Sequence, residues 1–189
     1  MFLLKQYPEY IFNFEGAVKY AWMKEYYPAQ YEEMKKFIES GRWHISGASW
    51  DATDTLVPSI ESAIRNIMLG QDYYRKEFGV ESTDIFLPDC FGFGWTLPAI
   101  ASHCGLIGFS SQKLQWRNKP FYGNDKYPFT VGLWQGIDGS TIMMTHGYDY
   151  NQRFEDGDLS ENKDLLELTG HSPLHMVYRY YGTGDIGGS

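Results

Sequence analysis

The residues best suited to chemistry in this sequence are aspartates. Asp89 follows the short apolar run Ile85–Leu87 and sits in the loop Pro88-Asp89-Cys90-Phe91-Gly92-Phe93-Gly94. In a sheet of parallel strands, groups at the carboxyl ends of the strands face the active site. Phe91 and Phe93 would strip water from around the carboxylate, and Gly92 and Gly94 permit tight turns. A carboxylate placed this way suits nucleophilic attack or proton transfer. The same place equally suits a turn or a helix cap, where aspartate is common. Asp185 lies in the Gly-rich stretch Gly182–Ser189, after the aromatic run Tyr178-Arg179-Tyr180-Tyr181. There it could donate a proton or accept one from a sugar hydroxyl, although a Gly-Asp turn is the plainer local reading. The GTGDIGGS stretch lacks the ending of a phosphate-binding loop and opens no helix, which excludes that function.

Asp51 and Asp54 stand three apart in SWDATD, beside Trp50 and just after a strand pattern. They could bind a sugar, or cap the helix that begins near Pro58. Pro58, Ser59 and Glu61 read as helix-start chemistry. The five histidines are His44, His103, His146, His171 and His175, and they form neither HExxH nor HxH. His171 and His175 have ligand spacing for a helix, but Pro173 lies between them. A zinc site takes three or four ligands, and spacing alone assembles none here. His146 follows a strand pattern and is a candidate substrate contact, as is Tyr148 just beyond it. The two cysteines, Cys90 and Cys104, form no CxxC and no disulfide framework. Apolar neighbours around Cys90 raise a thiol pKa and point to packing.

The elements that would position these groups alternate between strand and helix. Tyr10–Phe14 reads as a strand. Val18, Trp22, Met23 and Tyr26 form a helical stripe. Pro28 interrupts it and starts a second helix, which ends near Gly41. Trp43–Ser49 is a strand, Pro58–Phe78 a long helix closed by Gly79, Ile85–Leu87 a strand, Leu97–Cys104 a short helix and Leu106–Ser110 a strand. Val131–Gln135 and Thr141–Thr145 flank an Asp138-Gly139 turn and make a hairpin. Trp116–Tyr127 and Tyr148–Asp164 are polar loops, and Leu174–Tyr181 is expected to be helical. Alternation of this kind predicts an α/β fold with a parallel sheet. No internal repeat, low-complexity linker or change of composition divides the 189 residues into two domains.

Composition narrows the function. A net charge of −8 disfavours nucleic acid and anionic membranes as partners, and no run of about 18 apolar residues is available to span a bilayer. Aromatic residues make up 17% of the chain. Their faces suit the C–H faces of sugars, but they also fill cores.

Three stretches carry a resemblance. GRWHISGASWDATDTLVPSIESAIRNIMLGQDYYRKEFG contains a Gly-Arg, a Trp-x-x-x-Asp, a Pro-Ser-x-Glu-Ser and a Gly-Gln-x-Tyr. FLPDCFGFGWTLPAIASHCGLIGFSSQKLQW surrounds Asp89. LWQGIDGSTIMMTHGYDYN is followed later by YYGTGDIGGS. Together they cover nearly the whole chain, which resembles the α-mannosidases of glycoside hydrolase family 38. The resemblance implies a (β/α)7-type barrel, here incomplete, over residues 1–189, and one zinc ion. It implies hydrolysis of terminal α-mannosides in oligosaccharides or glycans with retention of configuration. Asp89 matches the family's nucleophile and zinc ligand, Asp185 aligns with its acid/base region, and Phe91 matches a wall of the sugar pocket. Asp54, His146 and Tyr148 are the further substrate-contact candidates, and a homo-oligomer of the full-length protein is an open expectation.

Departures from the family pattern matter as well. The chain begins beyond the family's His-x-Asp zinc pair and ends before its downstream zinc histidine. Ala52 stands where many relatives carry glutamate. The 189 residues alone are therefore expected to bind zinc weakly and to turn over nothing. Two alternatives use the same residues differently. A deacetylase-like parallel barrel would need a His-x-x-x-His pair near the metal; His171 and His175 have that spacing, but Pro173 lies between them. A non-catalytic carbohydrate-binding domain would keep its affinity after loss of Asp89.

Overall fold

In the computed structural model of the chain, the described residues are 1–115, 130–146 and 159–178. A short helix α1 (Phe2–Gln6) leads into strand β1 (Phe12–Phe14), helices α2 (Ala17–Tyr26) and α3 (Pro28–Glu39), and strand β2 (Trp43–Ile45). The long helix α4 (Ile60–Phe78) precedes β3 (Asp84–Phe86), α5 (Leu97–His103) and β4 (Gly108–Ser111). The hairpin β5 (Val131–Gln135) and β6 (Thr141–His146) and the helix α6 (Lys163–His171) follow.

The punctuation that ends these elements is chemical. Pro28 occupies the first turn of α3, where its missing N–H costs nothing. Ser59 caps α4, its Oγ accepting from Ser62 N at 3.2 Å, and Gly79 closes the helix in the left-handed region at φ 68°. Strand β2 stops at Ile45 rather than reaching Ser49, because Gly47 turns the backbone at φ 72°.

Strands β1 and β2 pair in parallel, and β3, β4, β6 and β5 form a second sheet in that order. Within it, β3, β4 and β6 run parallel and only β5 is antiparallel, on the outer edge. The two sheets meet at a seam just past β2. Ala48 N donates to Asp84 O at 2.8 Å and Gly47 N to Asp84 Oδ1 at 3.1 Å. The expected α/β fold with parallel βα units is therefore present. No closed barrel is seen: among the described residues six strands form two open sheets.

Helix α4 covers this seam, and it approaches very closely. A Cβ on Gly70 would lie 2.1 Å from the carbonyl oxygen of Ala48. One residue on, Gln71 reads the backbone of Ser82 with both ends of its amide, donating to the carbonyl at 2.7 Å and accepting from the N–H at 3.0 Å. Tyr74 OH donates to Gly47 O at 3.2 Å. Gly70, Gln71 and Tyr74, the residue just past the Gly-Gln-x-Tyr motif, are thus the fastener between helix and sheet. The Gly-Arg pair does similar work, with Arg42 donating to the carbonyls of Tyr7 and Tyr10.

Two apolar clusters flank the seam. One gathers Tyr20, Tyr31, Met34, Trp43, Ile45 and Tyr74; the other gathers Ile67, Ile85, Leu87, Leu97, Phe109 and Ile142. The first is held by polar bonds among its own rings, since Trp43 Nε1 donates to Tyr20 OH and Tyr20 OH donates to Phe14 O.

The helical expectation for Leu174–Tyr181 fails over the described part. His175 takes a left-handed φ of 51° and the chain continues without helix to Tyr178. The helix forms upstream instead, capped by Asn162, whose side chain accepts from Leu165 N at 3.1 Å.

Candidate active site

Three neighbouring parallel strands deliver polar side chains at one end of the sheet. Asp89 lies just beyond β3, Lys113 just beyond β4, and His146 is the last residue of β6. Asp89 is well exposed, its side chain keeping 59% of its accessible surface. Lys113 keeps only 6%, and its Nζ lies 2.5 Å from Asp89 Oδ1. The same ammonium lies 4.8 Å from the centroid of the Phe91 ring, close enough for a cation–π attraction. Phe91 itself is largely exposed. A carboxylate, a buried cation and an open aromatic face therefore share one small volume. Lys113 was not singled out from the sequence, where it sits in an unremarkable polar stretch, Gln112-Lys113. Only the fold reveals that it is buried.

The loop that carries Asp89 is pinned along its length. Leu87 N donates to Ser110 O, which extends the pairing of β3 with β4 right up to the site. Cys90 Sγ donates to Thr53 O at 3.2 Å and Thr55 Oγ1 donates to Gly92 O at 2.7 Å. These contacts join the loop to the Thr53–Leu56 segment. Phe93 turns inward, its ring 4.9 Å from that of Phe109, which is in turn 5.1 Å from Trp134. Phe93 thus anchors the loop in the core, while Phe91 and, further on, Trp95 stay exposed. Burial pushes the Cys90 thiol up, and the nearby charges of Asp54 and Asp89 push it further. Cys90 is consequently a packing residue rather than a nucleophile, as its neighbours in the sequence suggested.

Asp54 joins this neighbourhood through a turn, its Oδ1 accepting from Leu56 N at 2.7 Å. Asp51 uses Oδ1 on the N–H of Ala52 and is braced by Asn66, which donates to its carbonyl and accepts from its N–H. The SWDATD stretch is thus tied to α4. His146 is fully buried, in register beside Ser111 of β4, with its N–H donating to Thr130 O at 3.0 Å. His171 ends α6 and His175 sits past the turn at Pro173, so the two do not share a helix. Asp185 and Tyr148 lie outside the described residues.

Among the described residues no three His, Cys, Asp or Glu side chains converge to hold a metal ion. Asp89 is one suitable oxygen ligand, but Oδ1 faces the Lys113 ammonium. These donors alone do not compose a zinc site.

Comparison with known proteins gives the site its chemical context. Residues 1–175 match the model described as the glycosyl hydrolases family 38 N-terminal domain. Alpha-mannosidase G of Dictyostelium discoideum is 37% identical over 96% of this chain, and the match takes up 16% of that protein. Alpha-mannosidase 2C1 of Homo sapiens is 32% identical over 75% of the chain and 13% of that protein. The chain thus spans about a sixth or less of these relatives. Among solved structures, a family 38 protein from Enterococcus faecalis superposes with a TM-score of 0.68 at 17% identity, over 97% of this chain and 20% of that one. A 4-alpha-glucanotransferase from Thermococcus litoralis reaches 0.71 at 16% identity, over 98% of this chain and 29% of that one. At these identities the superpositions show a shared fold. The choice among chemistries rests on the sequence match.

Proposed function

The chain belongs to glycosyl hydrolase family 38, and from that premise we propose that it carries the nucleophile of a retaining α-mannosidase acting on terminal α-mannosides of oligosaccharides or glycans. The observation that carries the reading is the exposed Asp89 carboxylate, at the end of a parallel strand, beside an open aromatic ring and a buried ammonium. An oxygen of Asp89 attacks the anomeric carbon. The bond to the leaving oxygen breaks, its electron pair stays with that oxygen, and an acid group supplies the proton. Water then attacks the same carbon and releases Asp89. We assign the acid/base role to Asp185. Phe91 packs on the C–H face of the sugar ring, and Asp54, His146 and Tyr148 complete the set of substrate contacts or their supports.

The complete catalytic domain is proposed to close as a (β/α)7-type barrel around this strand end. Zinc belongs to the proposal as the cofactor of the full-length protein, with Asp89 as one ligand. No step is assigned to it, because the described donors do not compose its site. About one equivalent of zinc is expected in the purified full-length protein, and metal analysis of Asp89→Ala should show it lost.

The decisive measurement is hydrolysis of an aryl α-mannoside by the full-length protein and its Asp89→Asn variant. A fall of at least about a thousandfold is expected when the attacking group is removed. An equally active variant would sink the assignment of the nucleophile.

A further inference from the structure

Lys113 holds a charge at a nearly inaccessible place, against a carboxylate that is itself exposed. Exposed ion pairs contribute little, and a buried cation loses its hydration, so an apolar side chain in its place is often no worse for the fold. Yet the Lys113 side chain is only 6% exposed, while its partner Asp89 remains open to solvent. The lysine rises from a single helical turn, Lys113–Gln115, that follows β4 directly, and its N–H donates to Ser111 Oγ at 3.2 Å. Its stem is thereby fixed to the sheet, and its Nζ meets Asp89 Oδ1 at 2.5 Å and the Phe91 ring at 4.8 Å.

We propose that Lys113 is a positioning residue that holds Asp89 through Oδ1 and, in the second half of the reaction, favours its departure as a carboxylate. This rests on the reading of Asp89 as a nucleophile. The physical reason is an asymmetry. A fixed positive charge beside Asp89 stabilises the free carboxylate more than the neutral sugar ester. In the first step the carboxylate is consumed, so the same charge lowers its reactivity and offsets what orientation gains. In the second step a water oxygen bonds to the anomeric carbon and the bond from that carbon to Asp89 breaks. Its electron pair returns to the carboxylate, and the water's proton passes to the acid/base group. The negative charge reappears 2.5 Å from the ammonium, close enough for a fixed charge to favour it directly.

The test uses the full-length protein, an aryl α-mannoside with a good leaving group, and the variants Lys113→Met and Lys113→Arg. Methionine fills the space of the stem, and Asp89, being exposed, stays solvated without its partner, so both variants should fold with unchanged melting temperature. For Lys113→Met, kcat should fall tenfold or more while KM falls in step, because the sugar ester accumulates. Its kcat/KM should change less than about threefold, and Lys113→Arg should restore most of kcat. A merely structural lysine would instead lower kcat/KM or leave every constant unchanged, and either result overturns the proposal. Crystal structures give a second reading that needs no activity. Asp89 should leave its present orientation in Lys113→Met and keep it in Lys113→Arg, and an unmoved Asp89 in both defeats the positioning role. If the parent protein hydrolyses no mannoside, the function above fails, while the structures still decide whether Lys113 positions Asp89.

Discussion

Asp89 and Lys113 come from consecutive parallel strands, and the one is detectable in the sequence where the other is not. The aspartate announces itself by following a short apolar strand and preceding closely spaced glycines. Lys113 looks like any solvated lysine, because its contacts with Asp89 and Phe91 join residues more than 20 apart in the chain. The same contrast separates Phe91 from Phe93. Both suit a site wall on paper, but Phe93 is drawn into the core by Phe109 and Trp134. At this scale Asp138 allows a clean titration test. Hydrogen bonds from the Ser140 hydroxyl and N–H, with a further contribution from His103, hold its carboxyl at about 2, below the usual value near 4. A carboxyl NMR titration should find its midpoint there. A depressed pKa stabilises the fold above the unfolded value and loses that effect as pH falls through the folded one. The advantage of wild type over Asp138→Asn should therefore be complete above about pH 5 and lost progressively down to about pH 1, as read from urea midpoints.

At the level of elements, the fastener between α4 and the sheet gives the sharpest predictions. Helix propensity alone would favour Gly70→Ala by about 1 kcal/mol. The close approach to Ala48 reverses that sign, because the new methyl has no room beside a backbone carbonyl. A net loss of about 2–4 kcal/mol is expected in denaturant unfolding, and a stabilised variant would show that the helix can move away at no cost. Gln71→Leu leaves the backbone N–H and carbonyl of the buried Ser82 without their amide partner. That should cost about 2 kcal/mol or more. Such elements were largely legible. Pro28, Ser59, Gly79 and the Asp138-Gly139 turn act locally, so their signals survive in the bare sequence. Helix α6 was missed because its cap, Asn162, lies in a polar run that reads as loop. The helix expected from Leu174 onward failed because Ser172, whose Oγ accepts from Leu174 N, closes only a turn, and His175 then breaks the chain with a left-handed φ.

Among the described residues the hairpin presents an apolar face. Strand β5 is an edge among the described residues, and Leu133, Met143 and Leu174 border an apolar groove of about 450 Å³. An open edge with apolar side chains invites association. The 189-residue chain on its own should bind a hydrophobic dye and elute larger than its 21.9 kDa mass in size-exclusion chromatography. A monomer that leaves the dye dark would show the groove to be closed in solution. Parallel βα order was readable from alternation, but barrel closure is a property of many strands acting together, and no local pattern encodes it.

The insertion of β6 between β4 and β5 also sets a schedule. Strand β4 is made well before β6, the neighbour that pairs with its far side, and β5 arrives in between yet must settle outside both. On a ribosome adding roughly 5–20 residues per second, that leaves the growing sheet with a bare margin for a few seconds. The strand that ends the wait is the one that brings His146 in beside Ser111. The corner of the sheet next to Lys113 is therefore completed late, and slow translation between Ser111 and Thr141 is where a nascent chain of this protein would most need a chaperone.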